Sequence, residues 1–270
     1  MWFFLSGSLL LVCLPAYAQN WLDDWLDRVS QTQAQQPHWV TPVATVTPRL
    51  EQELRFDYVH QYGAGNYEIN NIDGGKGVEL IPTSKTEIIF NVPPYLLHDN
   101  PEVVDGWGDV SFLLKYRIAA GNEEHGKYIF TAFLGASVPT GTYKNGARAA
   151  IITPTLAGGK GFGRFDFQAT LGSGLPVNQT ATIGRTLLTN IAAQYHVSRF
   201  LWPELESNST FWYGGNFGSK KQSFLTPGLV LGRFPIHHRV GFAFGGGFQI
   251  AATSYHQYNH AFIFTARMPF

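Results

Sequence analysis

An alternation of apolar and polar residues with a period of two recurs along this chain from Arg49 to its end. A period of two places alternate side chains on opposite faces of a β-strand, whereas a helix needs a period near 3.6. In the first such segment, leucine and aromatic residues share one face, and the other face carries Glu51, Glu53, Arg55 and Asp57. The pattern predicts about twelve strands, at 49–61, 75–81, 84–92, 107–118, 128–138, 148–158, 162–174, 182–199, 204–214, 222–233, 238–252 and 259–270.

The connections between these segments alternate in length. Short ones lie at 82–83, 159–161, 200–203 and 234–237, and longer ones lie at 62–74, 93–106, 139–147 and 175–181. Bacterial outer-membrane barrels have short periplasmic turns and longer outer loops, with strands that are apolar outside and polar inside. The sequence therefore predicts an all-β, antiparallel, up-and-down transmembrane barrel. The connection 119–127 is an exception, because it is long where a tight turn is expected.

A soluble β-sandwich is the alternative fold, since its strands also alternate between two faces. Charged residues make up only 14% of the chain, whereas solvated sheet faces are rich in Lys and Glu. Glycines also recur on the polar face, as at Gly241, Gly245 and Gly247, where close packing inside a closed barrel tolerates them. A mean hydropathy of −0.07 is too low for a bundle of membrane helices. These features favour the barrel.

The first 46 residues do not follow the alternation. An apolar run, 3–14, precedes Ala16-Tyr17-Ala18, which is the pattern of a signal peptide cleaved after residue 18. Cleavage would remove the only cysteine, Cys13. Residues 19–46 are interpreted as a short amphipathic helix and a Gln-rich linker, and 47–270 as the barrel. Trp21 and Trp25 lie on the apolar face of the helix, which is expected to plug the lumen, to lie on a membrane surface or to be a locally packed terminal helix.

The composition excludes several function classes. Lys plus Arg equals Asp plus Glu at 19 each, so there is no basic field to attract nucleic acid. His256 with His260, four residues apart on a strand, would stand about 13 Å apart, too far for one metal ion. No metal and no cofactor are expected. His196 and Ser198 share a face and leave a membrane hydrolase as a minor alternative, but no nucleophile motif surrounds them, so no catalytic residue is assigned.

Two sets of residues resemble known outer-membrane proteins. The final strand, ending with Met268 and Phe270, resembles the signal read by the barrel-assembly machinery. The blocks 106–110 (GWGDV) with 115–117 (KYR), 138–141 (VPTG) and 171–176 (LGSGLP) resemble the outer-membrane barrel family named for the meta-pathway of phenol degradation. This resemblance implies a transporter of small, hydrophobic or aromatic molecules. It supplies no binding residue.

The sequence thus predicts an outer-membrane channel, embedded in lipid, that passes a small-molecule solute. We expect its lumen to be lined by charged residues at inward strand positions: Glu51, Glu53, Arg55, Asp57, Lys85, Glu87, Lys115, Arg117, Arg164 and Asp166. Mixed charges either form a pore constriction or neutralise one another inside a closed barrel. The alternative function is therefore a structural or ligand-binding barrel without an open pore.

Overall fold

The computed structural model describes residues 8–63, 65, 67–73 and 77–270, with side chains from residue 21 onward. Over these residues the chain forms a closed antiparallel barrel of 12 strands with an N-terminal helix, which confirms the predicted fold class. The strand segments are β1 (Glu53–Tyr62), β2 (Glu68–Ile72), β3 (Gly77–Thr83), β4 (Thr86–Asn91), β5 (Tyr95–His98), β6 (Gly106–Trp107), β7 (Val110–Gly121), β8 (Tyr128–Val138), β9 (Ile151–Phe162), β10 (Phe165–Pro176), β11 (Arg185–Tyr195), β12 (Leu201–Tyr213), β13 (Lys221–His237), β14 (Val240–Ala251) and β15 (His260–Pro269).

The barrel closes between its first and last strands. β1 pairs antiparallel with β15, in a register that runs from Glu53 opposite Pro269 to Tyr62 opposite His260. Between them each wall strand pairs with its neighbour in sequence. Closure satisfies the backbone of both edges, which a strand facing lipid requires because no water is available there.

Three neighbouring wall strands are interrupted. Each of these wall strands consists of two pieces, which are β2 with β3, β4 with β5, and β6 with β7. In the first two, β3 pairs with β4 at one level of the wall, and β2 pairs with β5 at the next level. The interruptions fall at Asp73, at Pro93-Pro94 and at Gly108. The sequence prediction treated 62–74 and 93–106 as loops and missed β2 and β5, whereas it counted Trp107 of β6 in one strand with β7. Short strand pieces beside prolines, which lack an amide donor, resemble loops in sequence.

The connections fall into a short-turn end and a long-loop end. The short-turn end carries residues 84–85, 122–127, 163–164, 196–200 and 238–239, and the long-loop end includes 139–150, 177–184 and 252–259. A short helix, α2 (Thr180–Ile183), lies in one of the long loops. The two ends of the barrel domain, Glu53 and Pro269, meet at the short-turn end. In outer-membrane barrels this end faces the periplasm.

The two faces of the wall differ in chemistry. Large apolar side chains such as Phe56, Phe112, Leu171 and Phe264 point outward and are exposed, whereas Glu53, Glu87, Lys115 and Arg267 are buried inside. Lipid can cover an apolar exterior of this kind. The buried charges require partners within the barrel.

The N-terminal helix, α1 (Ser8–Ala34), is longer than predicted. It runs through the predicted cleavage site at Ala18 and covers residues 19–34 of the segment that was interpreted as a short helix and a linker. Residues 1–7 of the predicted signal peptide lie outside the described residues. Among the described residues, no helix is long and apolar enough to span a membrane.

The second half of α1 packs on the short-turn end of the barrel. Trp25 Nε1 donates to Ile81 O at 2.8 Å, and Val29 packs against Leu50 and Ile81. Near the helix C-terminus Arg117 Nη1 donates to Thr32 O at 2.7 Å, which satisfies a carbonyl that the helix itself leaves free. The helix is thereby fixed at the mouth of the barrel.

Candidate functional site

Residues 36–52, called here the luminal segment, enter the barrel at the short-turn end and return to it. Most of their side chains are buried, and the segment has no regular secondary structure. Gln36 joins its two ends, because Gln36 Nε2 donates to Leu50 O at 2.7 Å and Leu50 N donates to Gln36 Oε1 at 3.0 Å. The luminal segment is therefore a closed loop that fills part of the interior. The sequence prediction placed residues 49–52 in the first strand, and the structure corrects this.

An irregular segment inside a barrel leaves its backbone groups without ladder partners, and these must be satisfied in another way. Its carbonyl oxygens accept hydrogen bonds from cationic side chains of the wall. Arg55 Nη2 donates to Val43 O at 2.7 Å, Arg267 Nη2 donates to Pro42 O at 2.7 Å and Arg267 Nη1 donates to Thr41 O. The wall arginines thus hold the middle of the loop.

Wall carboxylates accept the amide hydrogens of the same stretch. Val43 N donates to Glu204 Oε1 at 2.9 Å, and Ala44 N and Thr45 N donate to the two oxygens of Glu206 at 2.7 and 2.6 Å. Hydrogen bonds to ionised groups are about twice as strong as neutral ones. The interior charges therefore serve as backbone partners for the luminal segment, a use that the sequence prediction did not consider.

Several other interior charges form ion pairs at the short-turn end. Glu51 contacts Arg49 at 2.8 Å and Arg233 at 2.5 Å, and Glu87 contacts Lys115 at 2.8 Å. Higher in the barrel, Arg55 contacts Asp57 at 2.8 Å. These pairs compensate buried charges that would be costly alone.

Glycines of the wall make room for the apolar side chains of the luminal segment. A Cβ at Gly159 would lie 2.6 Å from Trp39 Cζ3, and one at Gly245 would lie 3.0 Å from Val43 Cγ2. Val43 also packs in a cluster with Val40, Trp202, Val230 and Ile263. Of the inward glycines noted in the sequence, Gly245 and Gly247 thus lie against the loop, whereas a Cβ at Gly241 would meet Phe234 O of the wall.

The long turn 122–127, the exception in the pattern of connection lengths, contacts the entry of the luminal segment. Asn122 Nδ2 donates to Ala34 O at 3.1 Å, and Glu123 accepts from His38 N at 3.0 Å and contacts the His38 ring at 2.5 Å. Partial burial acts to raise the pKa of Glu123, but these contacts outweigh it and lower that pKa. The turn therefore anchors the chain where it enters the barrel.

The structure places eight of the predicted lining residues inside the barrel and two elsewhere. Buried within it are Glu51, Glu53, Arg55, Asp57, Glu87, Lys115, Arg117 and Asp166. Lys85 and Arg164 lie instead in short turns, where their side chains are exposed. Strand alternation does not show where a strand ends. Lys85 and Arg164, which lie in turns, were therefore assigned to strands and to the lumen.

The terminal candidates lie at the mouth. Trp21 is exposed and stacks on Trp25, which contacts the rim, so neither enters the lumen. In the last strand, Met268 pairs with Leu54 of β1, and Phe270 N donates to Gln52 O at 3.2 Å.

Sequence analysis missed Glu204, Glu206, Gln168 and Arg267, which all contact the luminal segment. The alternation of apolar and polar residues in their strands could have identified them. Leu205 separates the two glutamates and is exposed, so both glutamates had to face inward.

Other candidate chemistry is weak. Among the described residues, no three His, Cys, Asp or Glu side chains come together as a metal site. The hydrolase alternative concerned His196 and Ser198. The ring of His196 stacks on that of Trp202, with centroids 4.0 Å apart, and Ser198 lies in the turn that follows β11.

The fold and interior define a transmembrane β-barrel with an internal segment at its centre. Its structure is similar to the crystal structure of an outer membrane channel from Pseudomonas putida F1, with a TM-score of 0.55 over 85% of this chain and 98% of the other. The two sequences are 13% identical, so the similarity shows a shared barrel fold. No protein-family model matches the sequence. No curated protein matches it either.

Proposed function

We propose that this protein is an outer-membrane channel for small molecules, with the luminal segment as its plug. The channel fold of the structural neighbour supports the proposal, as do the apolar exterior and the charged interior of the barrel. A channel among its structural relatives, rather than an enzyme, also supports a non-catalytic role.

The polar contact between plug and wall is the observation that carries this proposal. Val43, Ala44 and Thr45 are bound through hydrogen bonds to glutamates, beside the small apolar cluster that contains Val43. Water can replace such hydrogen bonds at a net cost of only about 0.5–3 kcal/mol each, so these polar contacts do not lock the loop permanently in place. The charged wall that remains would then line an aqueous path.

The finer parts of the proposal rest on sequence. The four motif blocks resemble the phenol meta-pathway family, which suggests hydrophobic or aromatic solutes. The pattern before Gln19 supports export by a cleaved signal peptide, and the terminal residues Met268 and Phe270 support insertion by the barrel-assembly machinery.

Conductance of the purified protein in planar bilayers tests the proposal. Deletion of residues 37–48 should raise the size of the conductance steps, because it removes most of the plug. The two ends of the gap lie near each other, since the side chain of Gln36 donates to Leu50 O at 2.7 Å. Deletion of residues 21–34 should have the smaller effect, because this part of α1 lies at the rim.

Each variant must first show the heat-modifiable gel mobility of a folded barrel. If the full chain and both folded variants remain silent, the protein is a structural or ligand-binding barrel without a pore. If only the deletion of residues 21–34 raises conductance, the helix is the plug, and the assignment of that role to residues 36–52 is wrong.

A further inference from the structure

A cavity of about 340 Å³ lies at the short-turn end, between the luminal segment and the wall. Trp39 of the luminal segment and Trp202 of β12 give it aromatic walls. Residues of the exposed turns 122–127 and 163–164 border it, so it is open to solvent at that end. The cavity could admit a molecule about the size of a single substituted ring.

Asp166 lines this cavity and has an unused acceptor. Asp166 is 1% exposed, and its Oδ1 accepts a hydrogen bond from Gln168 Nε2 at 3.1 Å. Within the part of the chain that the structure describes, Oδ2 has no hydrogen-bond partner and no cationic side chain forms an ion pair with the carboxylate. A buried carboxylate oxygen without a donor is unfavourable, and a donor group on a bound molecule would stabilise it.

The surroundings of Asp166 favour a positively charged donor. The flat stack of His196 on Trp202, with an interplanar angle of 6°, and the buried ring of Trp39 provide aromatic surface. Aromatic faces beside a carboxylate are the combination that binds organic ammonium ions, through cation–π attraction and a charge-assisted hydrogen bond.

The other charged groups around the cavity are engaged or lie at its edge. Glu123 is bound to His38, and Lys127 Nζ donates to Gly163 O at 3.0 Å. Lys127 and Arg164 repel any positive charge on a ligand, but they border the cavity in the turns at its solvent-open end, where water and salt screen them. The carboxylate of Asp166 and the aromatic walls therefore favour one ammonium group on an apolar body.

We propose that this cavity is a binding site for a small organic monoammonium ion, with the ammonium on Asp166 Oδ2 and the apolar part between Trp39 and Trp202. The site goes beyond the proposed channel function. Its occupancy needs no movement of solute across the membrane.

Calorimetric titration of the folded full-length chain in detergent with three ligands of one skeleton tests the site. Benzylammonium carries the required charge, benzyl alcohol is its neutral analogue and benzoate its anionic analogue. We expect benzylammonium to bind at least about tenfold more tightly than benzyl alcohol, and benzoate not to bind. Equal affinity for benzylammonium and benzyl alcohol, or no binding of benzylammonium, would overturn the proposal.

The variant Asp166→Asn keeps the acceptor for Gln168 and removes the charge. It should weaken benzylammonium binding by at least about tenfold, whereas Asp99→Asn, an equal charge change in an exposed loop, should leave it unchanged. Unchanged affinity in Asp166→Asn would contradict the assignment. If that variant fails to fold, Trp202→Leu should lose binding that Trp202→Phe retains, and equal binding by these two variants would also refute the site. Planar-bilayer conductance is a separate readout, so failure of this site and failure of the channel are distinguishable.

Discussion

Single residues of the wall decide whether the luminal segment fits. Gly245 and Gly246 are adjacent on β14 but face opposite sides of the barrel. A Cβ at Gly245 would lie 2.6 Å from Thr265 Cγ2 and 3.0 Å from Val43 Cγ2, whereas one at Gly246 would meet only Ile263 O at 3.7 Å. Alanine substitutions at these two positions therefore distinguish the loss of a glycine from the loss of space inside the barrel.

We expect Gly245→Ala to lower the free energy of unfolding by about 1–3 kcal/mol through overpacking against Val43 and Thr265. The matched control Gly246→Ala should change it by less than about 0.5 kcal/mol. Denaturant unfolding of the two variants in the same detergent measures the difference. Equal effects would show that the luminal segment does not pack on β14 as described.

The contact of His38 with Glu123 should depend on pH. The folded state lowers the pKa of Glu123 from its ordinary value of 4.5, so the contact contributes fully above that value. Its contribution is lost as the pH falls through the lowered folded value. Hydrogen exchange of the amides of residues 36–40, corrected for intrinsic rates, should therefore accelerate in acid.

Two neighbouring glutamates provide the control for this prediction. Glu123→Gln should abolish the acid-dependent step, whereas Glu124→Gln should leave it in place, because the Glu124 side chain has no described partner. A step that persists in Glu123→Gln would mean that another group controls the entry of the luminal segment.

At the level of elements, the wall is uneven. β5 (Tyr95–His98) and β6 (Gly106–Trp107) form short ladders, whereas β11 and β12 pair continuously from Arg185 opposite Tyr213 to Gln194 opposite Glu204. A short ladder bounded by Pro93-Pro94 and Gly108 can open without breaking the rest of the sheet.

We therefore expect the amides of β5 and β6 to exchange with solvent faster than those of β11 and β12. Hydrogen exchange resolved by peptide measures this directly in detergent or lipid nanodiscs. Equal protection of the two regions would show that the interruptions do not weaken the wall.

Element boundaries also show where sequence reasoning succeeded and where it was limited. Long alternating segments such as β7 and β10 were predicted within a few residues of their bounds. β2 and β5 were not, because a strand of four or five residues carries too few alternations to be distinguished from a loop. The anchoring role of the turn 122–127 could be suspected from its length, but not assigned before its partner was known.

At the scale of the whole molecule, the closed barrel should resist detergent. Because the wall closes through the pairing of β1 with β15, the folded chain should migrate differently on gels before and after heating. It should also fractionate with membranes rather than with a detergent-free periplasmic extract. A chain that stays soluble without detergent and shows one mobility would contradict the transmembrane assignment.

The exported form should begin at Gln19. The A-x-A pattern ending at Ala18 predicts cleavage there, and the intact mass of protein purified from the outer membrane tests it. A mass that includes Met1–Ala18 would show that the first part of α1 remains attached.

The sequence by itself determined the alternating faces, and these determined a barrel. Residues such as Phe56 and Asp57 must lie on opposite sides of any strand, because the period of a strand is two. Hydrophobic patterning also showed that many charges face inward, although it placed Lys85 and Arg164 wrongly. Both conclusions depend only on local geometry.

Only the tertiary structure decided what those inward charges do. The backbone of residues 41–45 is bound by Glu204, Glu206, Arg55 and Arg267. The two glutamates lie more than 150 positions away from it in sequence. The luminal segment has no periodicity of its own, since it is irregular and takes its hydrogen-bond partners from the wall around it. Its position therefore depended on barrel closure, which brings β1, β12 and β15 around one loop.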